Sequence, residues 1–528
     1  MSALRVALAV LAWGMPAVAG KPMPDSEPQF RQALPRVLEA ARARAKTASP
    51  VIREITMPSI ERLIQDADAR AASITDPARD NAFVLRSLQQ AWSYAGTVAA
   101  GRDPYREATG MMVKAYRSDW DGTLQPYALY VPPDYKPGRP GGWPLIVALH
   151  GAWSDHRHNL RRVFGLDNRP RESDAEASRN ELPLPDVPAL VVSPYGRGEL
   201  MGYDGLGGDD VMRVIADVRR AYEVDPDRVS LTGLSMGGGG TWEIGLRHPE
   251  MFAALAPVCA VADYRRMIKP ADAGFFDLDW LDGQSTAALA GNAARTQVLI
   301  FQGDKDPTVP VGDSRKMAER FRQLGMLGKN VRYTEYPGVG HNAWIPAYKD
   351  AALLRTLAAI KRDPAAPKVQ PTGATPPPCT AVPGLFGKSV PRQGPHVYVY
   401  GTHGTPEAVA AARKLANAMA DWGPMVGAKF TVKSDAEVTA DDRKRFSLVL
   451  IGSAPFNVLD DSRPRPDVRP LGDRAIWALE PDTARPGGCM LILGAESPRG
   501  FERLKRFARF NRDGWAPDPN RPFAFVTD

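Results

Sequence analysis

The chain has 528 residues, 44% hydrophobic and 24% charged, a length that exceeds one compact domain and implies two or three. Its net charge of +7 comes from 67 Lys and Arg scattered among 60 Asp and Glu, the pattern of solvated faces and not of a nucleic-acid-binding surface. No zinc-finger, H-E-x-x-H or EF-hand pattern occurs, so neither a metal nor a cofactor is expected.

The N-terminus has Arg5, an apolar run from Val6 to Val18 and the small-residue site Ala17-Val18-Ala19. This is the pattern of a secretory signal peptide cut after Ala19, which makes the protein secreted or periplasmic. A retained membrane anchor is the alternative, but the run is short for a span and contains Gly14 and Pro16. No later segment approaches transmembrane length, so stable membrane insertion is not expected. Residues 20–109 read as a helical extension. Phe30, Leu34, Val37, Leu38 and Ala41 recur at helical spacing, as do Ile60, Leu63, Ile64 and Ala67, then Phe83, Val84, Leu88, Ala91 and Trp92. Prolines 28, 35, 50, 58 and 77 mark or break the helix starts, and the extension reads as a scaffold more than as a cap over a site.

From Met111 to Val131 the period shifts towards two, with Asp121-Gly122 as a hairpin signal between antiparallel strands. Strands at 144–149, 189–193, 228–232, 253–259, 297–302 and 331–336 then alternate with helices at 210–222, 236–247, 313–324 and 346–361. Such alternation predicts a mainly parallel sheet covered on both faces. Two irregular insertions, about 154–188 and 261–292, fall after strands and are candidate substrate walls.

Gly233-Leu234-Ser235-Met236-Gly237 sits between the third of these strands, counted from 144, and its helix as a G-x-S-x-G turn, which lifts the Ser235 hydroxyl clear of the backbone. A serine there needs a base and an orienting carboxylate in the order Ser, Asp or Glu, His. Of seven histidines, His150, His156 and His158 precede Ser235, His248 shares its helix, and His396 and His403 follow a Pro-rich stretch. That leaves His341, on a Gly-bearing loop after strand 331–336. The acid should end strand 297–302, where Asp304 and Asp306 follow Gly303; Asp306 is favoured and Asp304 is read as a turn cap. An oxyanion hole would come from the backbone N–H of Met236 and that of Ala152, with Trp153 as the alternative second donor. His150 reads as a structural residue tying that loop down. Trp153, Tyr203 and Trp344 are candidate substrate-lining residues, with Trp242 either lining or core.

Residues 363–395 carry nine prolines and read as a spacer of polyproline character. A small α/β unit follows at 396–528, with strands at 397–400, 448–452 and 490–494 and helices at 406–422 and 498–510. Gly401-Thr402-His403-Gly404 reads as an ordinary strand–helix turn, an anion site being the weaker alternative. The spacer composition makes this unit an appendage, separable from the chemistry. Three cysteines cannot build a disulfide framework: Cys259 is expected as a buried thiol, and Cys379 and Cys489 as a candidate pair.

Five ordered stretches, 145–153, 225–238, 248–257, 303–310 and 340–341, resemble the α/β-hydrolase superfamily over roughly residues 110–362. Within it they look like secreted esterases and predicted peptidases with prolyl-oligopeptidase-type, dienelactone-hydrolase-like or feruloyl-esterase-like catalytic domains. The resemblance implies an α/β-hydrolase sheet, here with an N-terminal helical extension and a second, small Rossmann-like α/β domain. It also implies Ser235 as nucleophile, Asp306 as acid, His341 as base, and Ala152 and Met236 as oxyanion donors. The expected activity is hydrolysis of an ester-bearing small molecule or polymer. A prolyl-oligopeptidase-type peptidase is the alternative, although no long β-repeat region precedes the catalytic residues. A binding or scaffold protein acting through 396–528 is the third reading.

Overall fold

The computed structural model describes residues 24–178, 182–199, 202–203, 205–262, 286–363, 396–421, 427–460, 472–482, 489–508, 515–517 and 524–527. The signal-peptide segment, Cys379 and most of the second insertion lie outside these residues, as does the side chain of Cys489. No helix among the described residues is long and apolar enough to cross a membrane.

Three helices open the fold: α1 (Glu27–Ala45), α2 (Met57–Ala71) and α3 (Pro77–Ala99). Their apolar stripes meet in one core containing Phe30, Leu34, Ile60, Leu63, Leu88 and Trp92. The antiparallel pair β1 (Gly110–Arg117) and β2 (Leu124–Val131) follows, with Arg117 opposite Leu124 at the turn. Helix α2 covers edge strand β1. The amide of Ala115 donates to Ser59 Oγ at 2.9 Å, so an edge group that would otherwise seek another chain is satisfied. The helices therefore lie along the edge of the sheet, as a scaffold does.

Six further strands complete an eight-stranded sheet: β3 (Trp143–Leu149), β4 (Leu190–Pro194), β5 (Val224–Leu234), β6 (Ala254–Val258), β7 (Gln297–Gly303) and β8 (Val331–Tyr336). The spatial order is β1-β2-β4-β3-β5-β6-β7-β8, and every pair from β4 to β8 is parallel. Strand β3 is buried along its whole length, as a central parallel strand with both faces covered must be. One face packs on α6 (Leu206–Ala221), α7 (Met236–Arg247) and α8 (Gly312–Gln323), through Val214, Val218, Trp242 and Phe321. The other packs on α4 (His156–Val163), α9 (Trp344–Tyr348) and α10 (Ala352–Ala359), through Leu160, Phe164, Tyr348 and Leu354. Trp242 is 1% exposed and belongs to the core. The first insertion is irregular only in part, since it forms α4 and the short α5 (Asp174–Ala177).

A second sheet of seven strands follows in the order β10-β9-β11-β13-β12-β15-β14. It is built from β9 (His396–Tyr400), β10 (Thr431–Ser434), β11 (Ser447–Ile451), β12 (Ile476–Pro481), β13 (Cys489–Gly494), β14 (Trp515–Pro517) and β15 (Ala524–Thr527). Helices α11 (Pro406–Ala420), α12 (Ala440–Arg445) and α13 (Pro498–Ala508) accompany it. The 401–404 turn packs against Phe456, with the His403 amide bonded to the Phe456 carbonyl at 3.0 Å, while Thr405 caps α11 through the Ala408 amide. It is an ordinary strand–helix turn.

This unit is docked on the first sheet. The Gly427 carbonyl accepts from Gln125 Nε2 at 2.5 Å and from Arg197 Nη1 at 3.3 Å, and the Lys429 amide donates to Asp121 Oδ2 at 3.1 Å. The rings of Trp120 and Phe430 face each other at 6.1 Å. A cleft of about 970 Å³ lies at the junction, lined by residues of all three units, among them Arg62, Gln125, Tyr195 and Lys429.

Candidate active site

Strand β5 and helix α7 are joined by a single residue, Ser235, at φ 55° and ψ −116°. Such a conformation is uncommon for a residue with a Cβ and stores strain that the surroundings must hold. Here the Ser235 amide is pinned to the Val258 carbonyl of β6 at 2.9 Å. The turn is closed from the other side by Gly237, where a Cβ would lie 2.2 Å from the Leu149 carbonyl oxygen. Only glycine permits that approach, which brings the serine turn against the end of β3.

Two loops at the same edge of the sheet deliver the partners. His341, on the loop after β8, has Nε2 2.9 Å from Ser235 Oγ and Nδ1 2.8 Å from Asp306 Oδ2. The Asp306 carboxylate, on the loop after β7, also accepts from Gln302 Nε2 at 3.0 Å and from the amides of Thr308 and Val309 at 2.8 and 2.9 Å. Burial alone would raise its pKa. The bond to His341 and the two amides outweigh that, so the carboxyl is held below its ordinary range and stays anionic. Asp304 points elsewhere, accepting from the Gly338 amide at 2.6 Å and bracing the histidine loop. The structure thus brings Ser235, His341 and Asp306 into one hydrogen-bonded line.

The amides of Ala152 and Met236 have no acceptor among the described residues, whereas Trp153 N–H is already bonded to the Glu199 carbonyl at 3.0 Å. Of the two alternatives in this loop, Ala152 is the one left free. His150 is fully buried, with Nε2 2.9 Å from the Tyr195 carbonyl, and ties the loop down. Trp153 stands 65% exposed beside this loop, and Trp344 meets the His341 ring edge-on at 5.4 Å. Tyr203 departs from expectation. It is 3% exposed, and its hydroxyl accepts from the His150 amide at 2.9 Å, so it is a post under the loop and not a substrate wall.

Cys259 is buried, and its Sγ, a His341 ring nitrogen and an Asp306 oxygen lie within 4.8 Å of one another. Burial pushes its thiol well above the ordinary range, so it offers a protonated thiol and not a thiolate ligand. The sequence reading missed Gln302, which is 0% exposed and bonds Asp306, the Val309 carbonyl and Ser314. A glutamine ending an apolar strand two residues before the first candidate acid was the available signal.

Residues 205–362 match the model of the prolyl oligopeptidase family. The chain is similar to acyl-protein thioesterase 1 of Gibberella zeae, 27% identical over 22% of this chain and 43% of the relative. It is also similar to a protein named carboxymethylenebutenolidase from Methylorubrum extorquens, 22% identical over 52% of this chain and 88% of that one. The chain thus spans less than half of one of these relatives and most of the other. Among solved structures, a thermostable esterase is 26% identical over 48% of this chain and 63% of its own, with a TM-score of 0.35. The ordered motifs, the doubly covered parallel sheet and the family match over residues 205–362 give the chain an α/β-hydrolase fold, similar to that of esterases and prolyl-oligopeptidase-type peptidases.

Proposed function

We propose that the protein is an exported serine hydrolase that cleaves carboxylic esters through an acyl-enzyme on Ser235. One observation carries the reading: the unbroken line from Ser235 Oγ through both nitrogens of His341 to a buried, anionic Asp306. In this mechanism Oγ attacks the acyl carbon as its proton passes to His341 Nε2. The amides of Ala152 and Met236 receive the oxyanion, His341 protonates the leaving alcohol, and water then repeats the sequence to free the acid. Asp306 holds the imidazole with Nδ1 protonated and stabilises the imidazolium. Trp153 and Trp344, at the rim of the site, face the substrate. The N-terminal pattern supports export. A peptidase is the second reading, favoured by the family matched over residues 205–362.

Ser235→Ala should abolish turnover while leaving the fold intact, since loss of the nucleophile removes on the order of 10⁶ in kcat. A fluorophosphonate should label the parent and not the variant, and equal labelling of both would remove Ser235 from the mechanism. A panel of p-nitrophenyl, feruloyl and acetyl-sugar esters and aminoacyl-proline amides, run on the unlabelled parent, separates esterase from peptidase.

A further inference from the structure

We propose that Arg197 is the positioning residue of the oxyanion loop, and that the C-terminal unit acts on the chemistry through it. The proposal rests on the reading of Ala152 N–H as an oxyanion donor. Residues 195–199 form a loop between that donor and the docked unit. On its inner side the Tyr195 carbonyl is bonded to His150 Nε2 at 2.9 Å and the Glu199 carbonyl accepts from Trp153 N–H at 3.0 Å. These two bonds bracket Gly151 and Ala152, so the position of the Ala152 amide follows the position of this loop.

The loop does not hold its shape by local preference. Arg197 has φ 68°, in the left-handed region that side chains with a Cβ disfavour, and its neighbours Gly196 and Gly198 are also at positive φ. Asp210 Oδ2 accepts from the Gly196 amide at 2.9 Å, and the outer side fixes the rest. The Arg197 residue is 3% exposed, and its guanidinium donates from Nη2 to Ser118 Oγ at 2.7 Å and from Nη1 to Asp121 Oδ2 at 3.1 Å. It lies 4.8 Å from the centre of the Trp120 ring. A buried ion pair is stable only when the remaining donors and acceptors of both partners are met. The C-terminal unit meets them on both sides. The Gly427 carbonyl takes a bond from Nη1 at 3.3 Å, and the Lys429 amide gives one to Asp121 Oδ2 at 3.1 Å. The contact is also close in the backbone, since a Cβ on Gly427 would sit 2.7 Å from the Arg197 carbonyl oxygen. The docked unit therefore completes the ion pair that holds the loop that holds the oxyanion donor.

The test is made on the full-length protein with two variants, one on each side of the contact. Arg197→Lys keeps the charge but loses the forked contacts. Gly427→Ala, in which the native φ is 55°, disturbs the contact while leaving every residue of the first sheet unchanged. Each should lower kcat on a p-nitrophenyl ester roughly tenfold, below the 10²–10³ of deleting a donor outright, because the donor is displaced and not removed. KM should change less than twofold. Affinity for a boronic acid that mimics the tetrahedral state should fall by the same factor as kcat/KM, while binding of the carboxylic acid product stays unchanged. A merely structural Arg197 would lower thermal stability without moving kcat or boronate affinity in the folded protein. Unchanged kcat in folded Gly427→Ala, or equal losses of boronate and product binding, overturns the proposal. If Ser235→Ala is inactive while both variants turn over at the parental rate, the nucleophile stands and the positioning role falls.

Discussion

Asp306 accepts four hydrogen bonds and Asp304 accepts one. At the residue scale this difference assigns their roles. Asp306→Asn cannot hold the imidazole with Nδ1 protonated in the same way, and should lower kcat by about 10⁴, as loss of an orienting carboxylate does in serine proteases. Asp304→Asn keeps an oxygen for the Gly338 amide and should lower kcat less than tenfold, a contrast read by steady-state kinetics on one ester. Equal losses would mean that the brace on the histidine loop matters as much as the charge. The serine, histidine and aspartate were legible because their order and their flanking glycines are written in side chains. The carbonyls of Tyr195 and Glu199, which set the donor loop, left no trace, because any residue type supplies a carbonyl. Tyr203 was misplaced for a related reason: an aromatic ring with a hydroxyl suits a substrate wall and a buried post equally well, and burial alone separates them.

Among the elements, the run Gly237 to Gly240 shows how differently neighbouring glycines can matter. A Cβ at Gly237 would meet the Leu149 carbonyl at 2.2 Å, whereas one at Gly239 would find its nearest neighbour, the Val261 carbonyl, at an ordinary 3.5 Å. Gly237→Ala should therefore destabilise by about 3 kcal/mol or more, since backbone on both sides must move. Gly239→Ala should stabilise by roughly 0.5–1 kcal/mol, the ordinary gain of alanine within a helix. Thermal unfolding of the two variants checks both, and a heat-labile Gly239→Ala would show that the helix start needs its freedom for another reason. The long apolar strands of the first sheet could be read directly, since burial on both faces writes a continuous hydrophobic run. Helix α4 could not. Its buried residues include His156, His158, Asn159 and Arg161, so no apolar period marks it. Strand β10, Thr431-Val432-Lys433-Ser434, is a short edge strand with exposed and half-buried positions, too polar and too brief to signal itself.

Over the whole molecule, the three units meet around one hairpin and one helix start. Arg117 pairs with Glu61 of the N-terminal helices, Arg62 donates to the Leu124 carbonyl, and the C-terminal unit bonds Asp121. Behind this junction, at the start of α4, His156 is 5% exposed, and neither ring nitrogen has a hydrogen-bond partner among the described residues. Burial holds its pKa well below the ordinary imidazole range, against the pull of Asp155 and Asp66 and with the help of Arg157 and Arg62. Asp155 is also held below its ordinary range, the attraction of His156 and its bonds to Ser178 and His158 outweighing its burial. For both groups the unfolded chain takes a proton before the folded one. Their contribution is therefore present at neutral pH and lost as the pH falls, at up to about 1.4 kcal/mol per group and pH unit. For His156 the loss begins near pH 6.5. His156→Leu should lose less stability than the parent between pH 7 and pH 5, measured as the shift in denaturant midpoint. An identical shift in both would place the acid sensitivity elsewhere.

The bond between Arg197 and Gly427 joins positions 230 residues apart. Contacts of such separation close late, because the intervening chain must first give up its freedom. On the ribosome the consequence is an order of events. A nascent chain carries Ser235, Asp306 and His341, and the Ser118 and Asp121 partners of Arg197, well before residue 427 has been made, yet the ion pair behind the proposed oxyanion donor is complete only once the last quarter of the protein has folded and docked. Synthesis then ends with the completion of the contacts that stand behind the proposed oxyanion donor.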